Sequence, residues 1–128
     1  MATTGTAPAR ADLLDALDQR DTRLRWLSSW TIHNANHLRQ KRDGLKGGGH
    51  QASCASMTAI MAALYFHALR PQDKVAVKPH AGPVLHAIHY LMGQQSLDKL
   101  QRFRGLGGAQ SYPSRTRSRP TVPSTISR

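Results

Sequence analysis

The feature that most constrains this chain is a run of three glycines followed by a histidine, Gly47 to His50. The run leads into a segment of small residues, Gln51–Ser56, and then into a long apolar stretch. Glycine permits positive φ angles and lets the backbone approach another group closely, because it has no Cβ. The free N–H groups and the dipole of a following helix favour an anion, so His50 would lie beside such a ligand. The same pattern also fits a merely permissive loop.

A second histidine stands at a comparable point further along the chain. The segment Lys74–Lys78 has the alternation of a short strand, and Pro83 suits the first turn of a helix that continues through Leu91. His80 therefore lies between the end of a predicted strand and the start of a helix. Open α/β sheets bind ligands at this position.

Apolar periodicity and capping residues predict further helices. We expect a short helix from Asp12 to Leu17 and a second from Asp21 or Thr22 to about Arg42. Ser53–Leu69 is apolar nearly all round, which predicts a helix buried on most sides. A short polar helix is predicted from Ser96 to Phe103.

One pair of histidines has the spacing of a zinc site. His33 and His37 are one helical turn apart, but no third ligand lies nearby in sequence. Trp26 and Trp30 precede them at similar spacing, so we favour a partly buried aromatic ridge at a packing interface over a metal site.

The remaining histidine pair and the cysteine are predicted to be structural. His86 and His89 fit a buried helix–helix seam better than a pair of ligands. Cys54 fits a small core residue, although its position near a helix start could lower its pKa.

The charge of the chain suggests an alternative function. A net charge of +11 favours binding to nucleic acid, with a cluster at Arg39–Arg42 and a looser run of arginines from 102 to 119. Aromatic residues make up only 5%, which leaves little for base stacking. A small basic nucleic-acid-binding protein is therefore the second hypothesis and not the leading one.

Cysteine content and hydropathy bear on the compartment. A single cysteine excludes an intramolecular disulfide, and no apolar run reaches transmembrane length. The first ten residues lack the apolar stretch of a secretory signal. We therefore expect a cytoplasmic protein with no membrane association.

Three ordered segments resemble those of the thiamine-diphosphate-dependent transketolase family. They are Gly-Gly-Gly-His-Gln-Ala-Ser from Gly47, Val-Lys-Pro-His-Ala-Gly-Pro-Val-Leu-His-Ala from Val77 and Leu-Gly-Gly-Ala-Gln-Ser-Tyr-Pro-Ser-Arg-Thr from Leu106. The resemblance runs from about Leu24 to Thr116 and is closer to the branch of homodimeric pyruvate dehydrogenases and transketolase-like proteins. In chain order, these segments are the first, second and third motifs.

The resemblance implies a fold, a cofactor and a site. The fold would be an incomplete amino-terminal fragment of a doubly wound α/β domain, mostly helical as it stands, which in the family binds the cofactor diphosphate through magnesium. His50 and His80 match the family histidines that line the cofactor and substrate channel and are the candidate catalytic residues. Gly48, Gly49 and both histidines are the candidate cofactor-binding residues. The intact family forms homodimers.

The chain also departs from the family pattern. It has no Glu, whereas the family uses a glutamate of a second domain to activate the cofactor, and it stops before the Gly-Asp-Gly metal motif, so no magnesium ligands are expected. We predict a disordered stretch over residues 1–10, a partial diphosphate-binding domain over 11–114, and a disordered basic tail over 115–128. The hypothesis for this tail is that a frameshift or early stop truncated the reading frame near Thr116 and left a non-native sequence. A separately encoded remainder of the enzyme could complete the domain.

These implications define the leading hypothesis. The chain would be the amino-terminal part of an enzyme for two-carbon ketol transfer or 2-oxoacid decarboxylation and dehydrogenation. Without the second domain and the metal motif, it would be inactive alone.

Overall fold

The computed structural model describes residues 6–40 and 47–111, and within them the chain is mostly helical. These two ranges contain four α-helices: α1 (Thr6–His33), α2 (Gln51–Ala63), α3 (Gly82–Leu91) and α4 (Leu97–Gln101). A π-helical turn extends α1 over Asn34–Leu38, and another extends α2 over Leu64–Ala68. A single 3₁₀ turn, Pro79–Ala81, leads into α3.

The prediction of a strand at Lys74–Lys78 is wrong. Residues 73–78 run without regular structure, and no β-strand occurs in the described parts of the chain. A strand requires a neighbouring strand for its ladder hydrogen bonds, and the described residues supply none. The mostly helical character is thus confirmed, whereas the doubly wound α/β sheet is not formed by this part of the chain.

The two helices predicted in the amino-terminal region form one continuous helix, α1. No glycine or proline separates Asp12 from His33, and side-chain pairs one turn apart occur on either side of the predicted break. Gln19 Nε2 donates to Asp15 Oδ2 at 3.0 Å, and Arg25 pairs with Asp21 at 3.0 Å. The helix also includes residues 6–10 of the stretch predicted to be disordered, while residues 1–5 lie outside the described structure.

The main core lies where α1, α2 and α3 meet. Each of these helices turns one apolar stripe toward the other two, so the three bury a common set of side chains. This cluster comprises Leu24, Leu27, Ile32, Cys54, Met61, Ala62, Val84, Ala87 and Ile88. A second, smaller cluster of Ala35, Phe103 and Ala109 joins the end of α1 to the loop after α4.

Helix α2 is buried on one face only, so the prediction of burial on most sides is wrong. Cys54, Thr58 and Met61 are buried, at the spacing of one helical stripe. Ile60 on the other side is 59% exposed. Helix α2 therefore has more apolar surface than the described part of the chain buries.

Two isoleucines allow a matched test of this packing. Ile88→Ala should lower the free energy of unfolding by about 2–5 kcal/mol, because Ile88 is fully buried and its loss leaves a cavity. Ile60→Ala should change the free energy of unfolding by less than about 0.5 kcal/mol, because the side chain is mostly exposed. Urea denaturation followed by circular dichroism measures both, and equal losses would contradict the assignment of the core.

Candidate functional site

The two histidines of the first and second motifs lie against each other. The rings of His50 and His80 stack with their centroids 4.1 Å apart and their planes inclined by 29°. His50 is the residue immediately before α2, and His80 lies in the 3₁₀ turn before α3. Both side chains are exposed, so their ring nitrogens can reach a ligand from solvent.

The glycine loop places His50 by passing very close to α1. Gly49 has φ +123°, and a Cβ on it would lie 2.8 Å from Ile32 Cγ1 and 2.9 Å from its Cγ2. The N–H of Gly48 donates to Asn36 Oδ1 at 2.7 Å. The loop is therefore fixed to α1 by packing at one residue and by a hydrogen bond at its neighbour.

Cys54 is hydrogen-bonded to the backbone of both His50 and His80. Its thiol donates to the carbonyl oxygen of His80 at 3.3 Å, and its N–H donates to the carbonyl oxygen of His50 at 3.0 Å. Burial raises the pKa of the Cys54 thiol to about 11, which keeps the donor proton on sulfur. The expected core role is in keeping with 1% exposure, but its bond to His80 was not predictable from spacing.

The second motif is joined to the third through His86. This side chain is fully buried, its Nε2–H donates to the carbonyl oxygen of Gln110 at 2.7 Å, and its Nδ1 accepts from Gln95 at 3.1 Å. Burial lowers the pKa of His86. The hydrogen bond to the Gln110 carbonyl raises the pKa in part, and the charge of Lys99 lowers it further. His86 is thus a neutral, fully partnered imidazole, as expected for a buried seam.

His89 lies one turn further along α3. Its pKa is lowered to about 4, mainly by burial and secondarily by His86. The side chain is partly buried. It is therefore neutral at ordinary pH and belongs to the packing rather than to the exposed histidine pair.

The aromatic ridge on α1 is more exposed than the sequence suggested. Trp26 and Trp30 stack with centroids 6.4 Å apart, and Trp26 is 64% exposed. The rings of His33 and His37 lie 5.0 Å apart, yet no group of three His, Cys, Asp or Glu side chains suited to a metal occurs among the described residues. The ridge borders an open groove of about 550 Å³ lined by Thr22, Arg25, Trp26, Ser29, Trp30, His33 and Gln51.

The candidate cofactor residues fit thiamine diphosphate in part. His50 and His80 present polar nitrogens to solvent and fit a polar or anionic group. Gly48 and Gly49 both have positive φ, and a Cβ would meet the Arg104 guanidinium at Gly48 and the Ile32 side chain at Gly49. As to a metal, no group of three or more His, Cys, Asp or Glu side chains that could hold an ion occurs among the described residues.

The cluster behind the nucleic-acid hypothesis falls mainly outside the described structure. Lys41 and Arg42 and residues 112–128 are not among the described residues. Arg39 is described, and its guanidinium donates to the carbonyl oxygen of Gln101 at 3.4 Å. Across residues 6–40 and 47–111, no helix is long and apolar enough to span a membrane.

Two glycines with positive φ differ in how closely other side chains approach them. Gly49→Ala should destabilise the chain by more than Gly93→Ala, because both positions have positive φ but only Gly49 also meets Ile32. A Cβ on Gly93 has nothing within 4 Å. Urea unfolding midpoints measure the difference, and an equal shift for the two variants would show that the Gly49–Ile32 contact does not hold the loop.

The lowered pKa of His89 predicts a pH dependence of stability. The unfolded chain takes up a proton near pH 6.5, whereas folded His89 does so only near pH 4. Stability should therefore be complete above pH 6.5 and fall on acidification, by about 2 kcal/mol at pH 5. His89→Gln should reduce this loss in urea titrations at pH 7.5 and 5.0, and an undiminished loss in the variant would contradict the assignment.

Comparison with known proteins finds two curated relatives. The chain is 30% identical over 101 residues to the pyruvate dehydrogenase E1 component of Mycobacterium tuberculosis and, to the same extent, to that of Mycolicibacterium smegmatis. Each match covers 70% of this chain and 10% of the relative, so the chain spans about a tenth of their length. No protein-family model and no solved structure matches. The chain is therefore similar to a part of the pyruvate dehydrogenase E1 component.

Proposed function

We propose that the chain is the amino-terminal part of a thiamine-diphosphate-dependent enzyme that acts on a 2-oxoacid. His50 and His80 would line the channel that holds the cofactor and substrate. The observation that carries the proposal is the stacking of these two exposed rings at 4.1 Å, since they come from two separate motifs. Similarity to the E1 component favours 2-oxoacid decarboxylation over ketol transfer.

The packing around the histidines supports the proposal because it joins all three motifs. The first and second meet at the histidine pair and through Cys54, and the second and third meet at the bond between His86 and Gln110. Neither imidazole of the exposed pair is needed to fill the core. Exposed polar groups whose positions are fixed by buried contacts are available to a ligand in a defined arrangement.

The two imidazoles suit the chemistry of the proposed reaction. Thiamine diphosphate, when bound, supplies the electron sink for the carbanion that decarboxylation produces. An imidazole can orient a substrate carboxylate or carbonyl by a hydrogen bond and can hold or release a proton at a ring nitrogen. His50 and His80, being adjacent and exposed, could divide these two tasks.

The rest of the enzyme would supply what this part lacks. Magnesium ligands and the glutamate that activates the cofactor would come from chain outside the described residues or from a separate polypeptide. Assembly as a homodimer in the cytoplasm is part of the same proposal. The purified 128-residue chain should then show no thiamine-diphosphate-dependent consumption of pyruvate, and turnover by the chain alone would contradict this.

Binding is the direct test of the histidine pair. In a titration with thiamine diphosphate followed by NMR of the imidazole Cε1–H signals, His50 and His80 should shift together and saturate at millimolar ligand. His50→Ala should weaken the effect on His80 severalfold, because the ligand would lose one of two contacts. His67→Ala is the matched control, since His67 is an exposed histidine on the turn after α2.

Two results would overturn the proposal. One is an equal shift of all exposed histidines, and the other is an unchanged response in the His50→Ala variant. Inorganic pyrophosphate serves as the second control because the chain is strongly basic. An identical response to pyrophosphate would indicate attraction of an anion without recognition of the cofactor.

A further inference from the structure

We infer that Arg104 is the positioning residue that holds the glycine loop, and with it His50, in place against His80. The inference rests on the proposed function for its biological meaning, but its geometry is independent of any ligand. Arg104 lies just before the third motif, whereas the loop belongs to the first. Its Nη1 donates to the carbonyl oxygen of Gly47 at 2.8 Å, and its Nε donates to Ser111 Oγ.

The guanidinium fills the space that the loop leaves open. A Cβ on Gly48 would collide with Arg104 Nη1, so the two groups are in close contact. On the other side, Asn36 accepts the N–H of Gly48. The loop is thus clamped between α1 and Arg104, two residues before His50.

The Arg104 side chain packs against a buried aromatic residue. Its guanidinium lies 5.3 Å from the centroid of the Phe103 ring, which is fully buried. Phe103 in turn makes an edge-to-face contact with His86, at a centroid distance of 6.2 Å. A long flexible side chain held at this many points is suited to fixing a loop rather than to lying free in solvent.

The backbone at Arg104 shows that the turn itself does not call for arginine. Its φ is +62°, the left-handed region that glycine adopts without strain, and its N–H donates to Ala109 at 2.7 Å. Glycine would therefore form this turn at least as well. What arginine adds at this position is its side chain, and the contacts of that side chain lead to the glycine loop and Ser111.

Arg104→Gly tests this role, because it removes the whole side chain and leaves a residue that adopts the left-handed φ without strain. Stacked rings shift each other's proton signals, so the ring signals of His50 report its distance from His80. His80→Ala gives the value for an unstacked His50. Arg104→Gly should move the His50 signals at least half of the way to that value while far-UV circular dichroism stays unchanged.

A matched pair of lysine variants keeps charge and backbone constant. Arg104→Lys has one nitrogen and cannot hold Gly47 and Ser111 together, so the His50 signals should shift part of the way. Arg102→Lys is the control, because Arg102 is exposed and pairs with Asp98 within its own helical turn. It should leave the His50 signals in place.

The outcomes separate this inference from the proposed function. Unchanged His50 signals in Arg104→Gly, or equal shifts in the two lysine variants, would overturn the role of Arg104. If Arg104→Gly unfolds, the lysine pair decides the question. A wild-type chain that does not bind thiamine diphosphate would refute the proposed function alone. If it does bind, Arg104→Lys should weaken binding severalfold, as His50→Ala does.

Discussion

The close approach of the glycine loop to α1 is the contact on which the rest of the site depends. At Gly49 the backbone passes so near Ile32 that no side chain fits between them. This fixes where α2 begins relative to α1, and so fixes His50, the residue just before α2. Packing in the three-helix core positions α3. His80, in the 3₁₀ turn before α3, then stacks on the ring of His50.

Part of this arrangement could be predicted from the sequence. A glycine run before an apolar helix and a Pro-flanked histidine before another are local patterns, and they singled out His50 and His80. The buried role of His86 was also predictable. Contacts between distant segments were not, because the bond from Cys54 to His80 and the clamp by Arg104 depend on tertiary packing that no spacing encodes.

Two of the wrong predictions share a physical reason. A strand at Lys74–Lys78 needs a partner strand, and all-round burial of α2 needs neighbours on both sides, so both expectations required more surrounding structure than the described residues provide. The predicted break in α1 failed for the opposite reason. Capping residues mark possible helix starts, but without glycine or proline the helix continues through them.

Four of the seven histidines fall into two classes, which the sequence patterns already distinguish. His86 and His89 have lowered pKa values because they are buried, and they act as neutral packing groups. His50 and His80 are exposed and are held in place by buried contacts around them. This division between a fixed interior and an available pair is what makes the site a candidate for binding rather than a feature of the core.

The most direct test of the account is the distance between the two exposed rings in the wild-type chain in solution. Nuclear Overhauser effects between the ring protons of His50 and His80 report separations below about 5 Å, and we predict that they are present without any ligand. Their absence, in a chain where the buried His86 ring still shows effects to Phe103, would mean that the core forms without bringing the motifs together. That result would contradict the site and the function proposed from it.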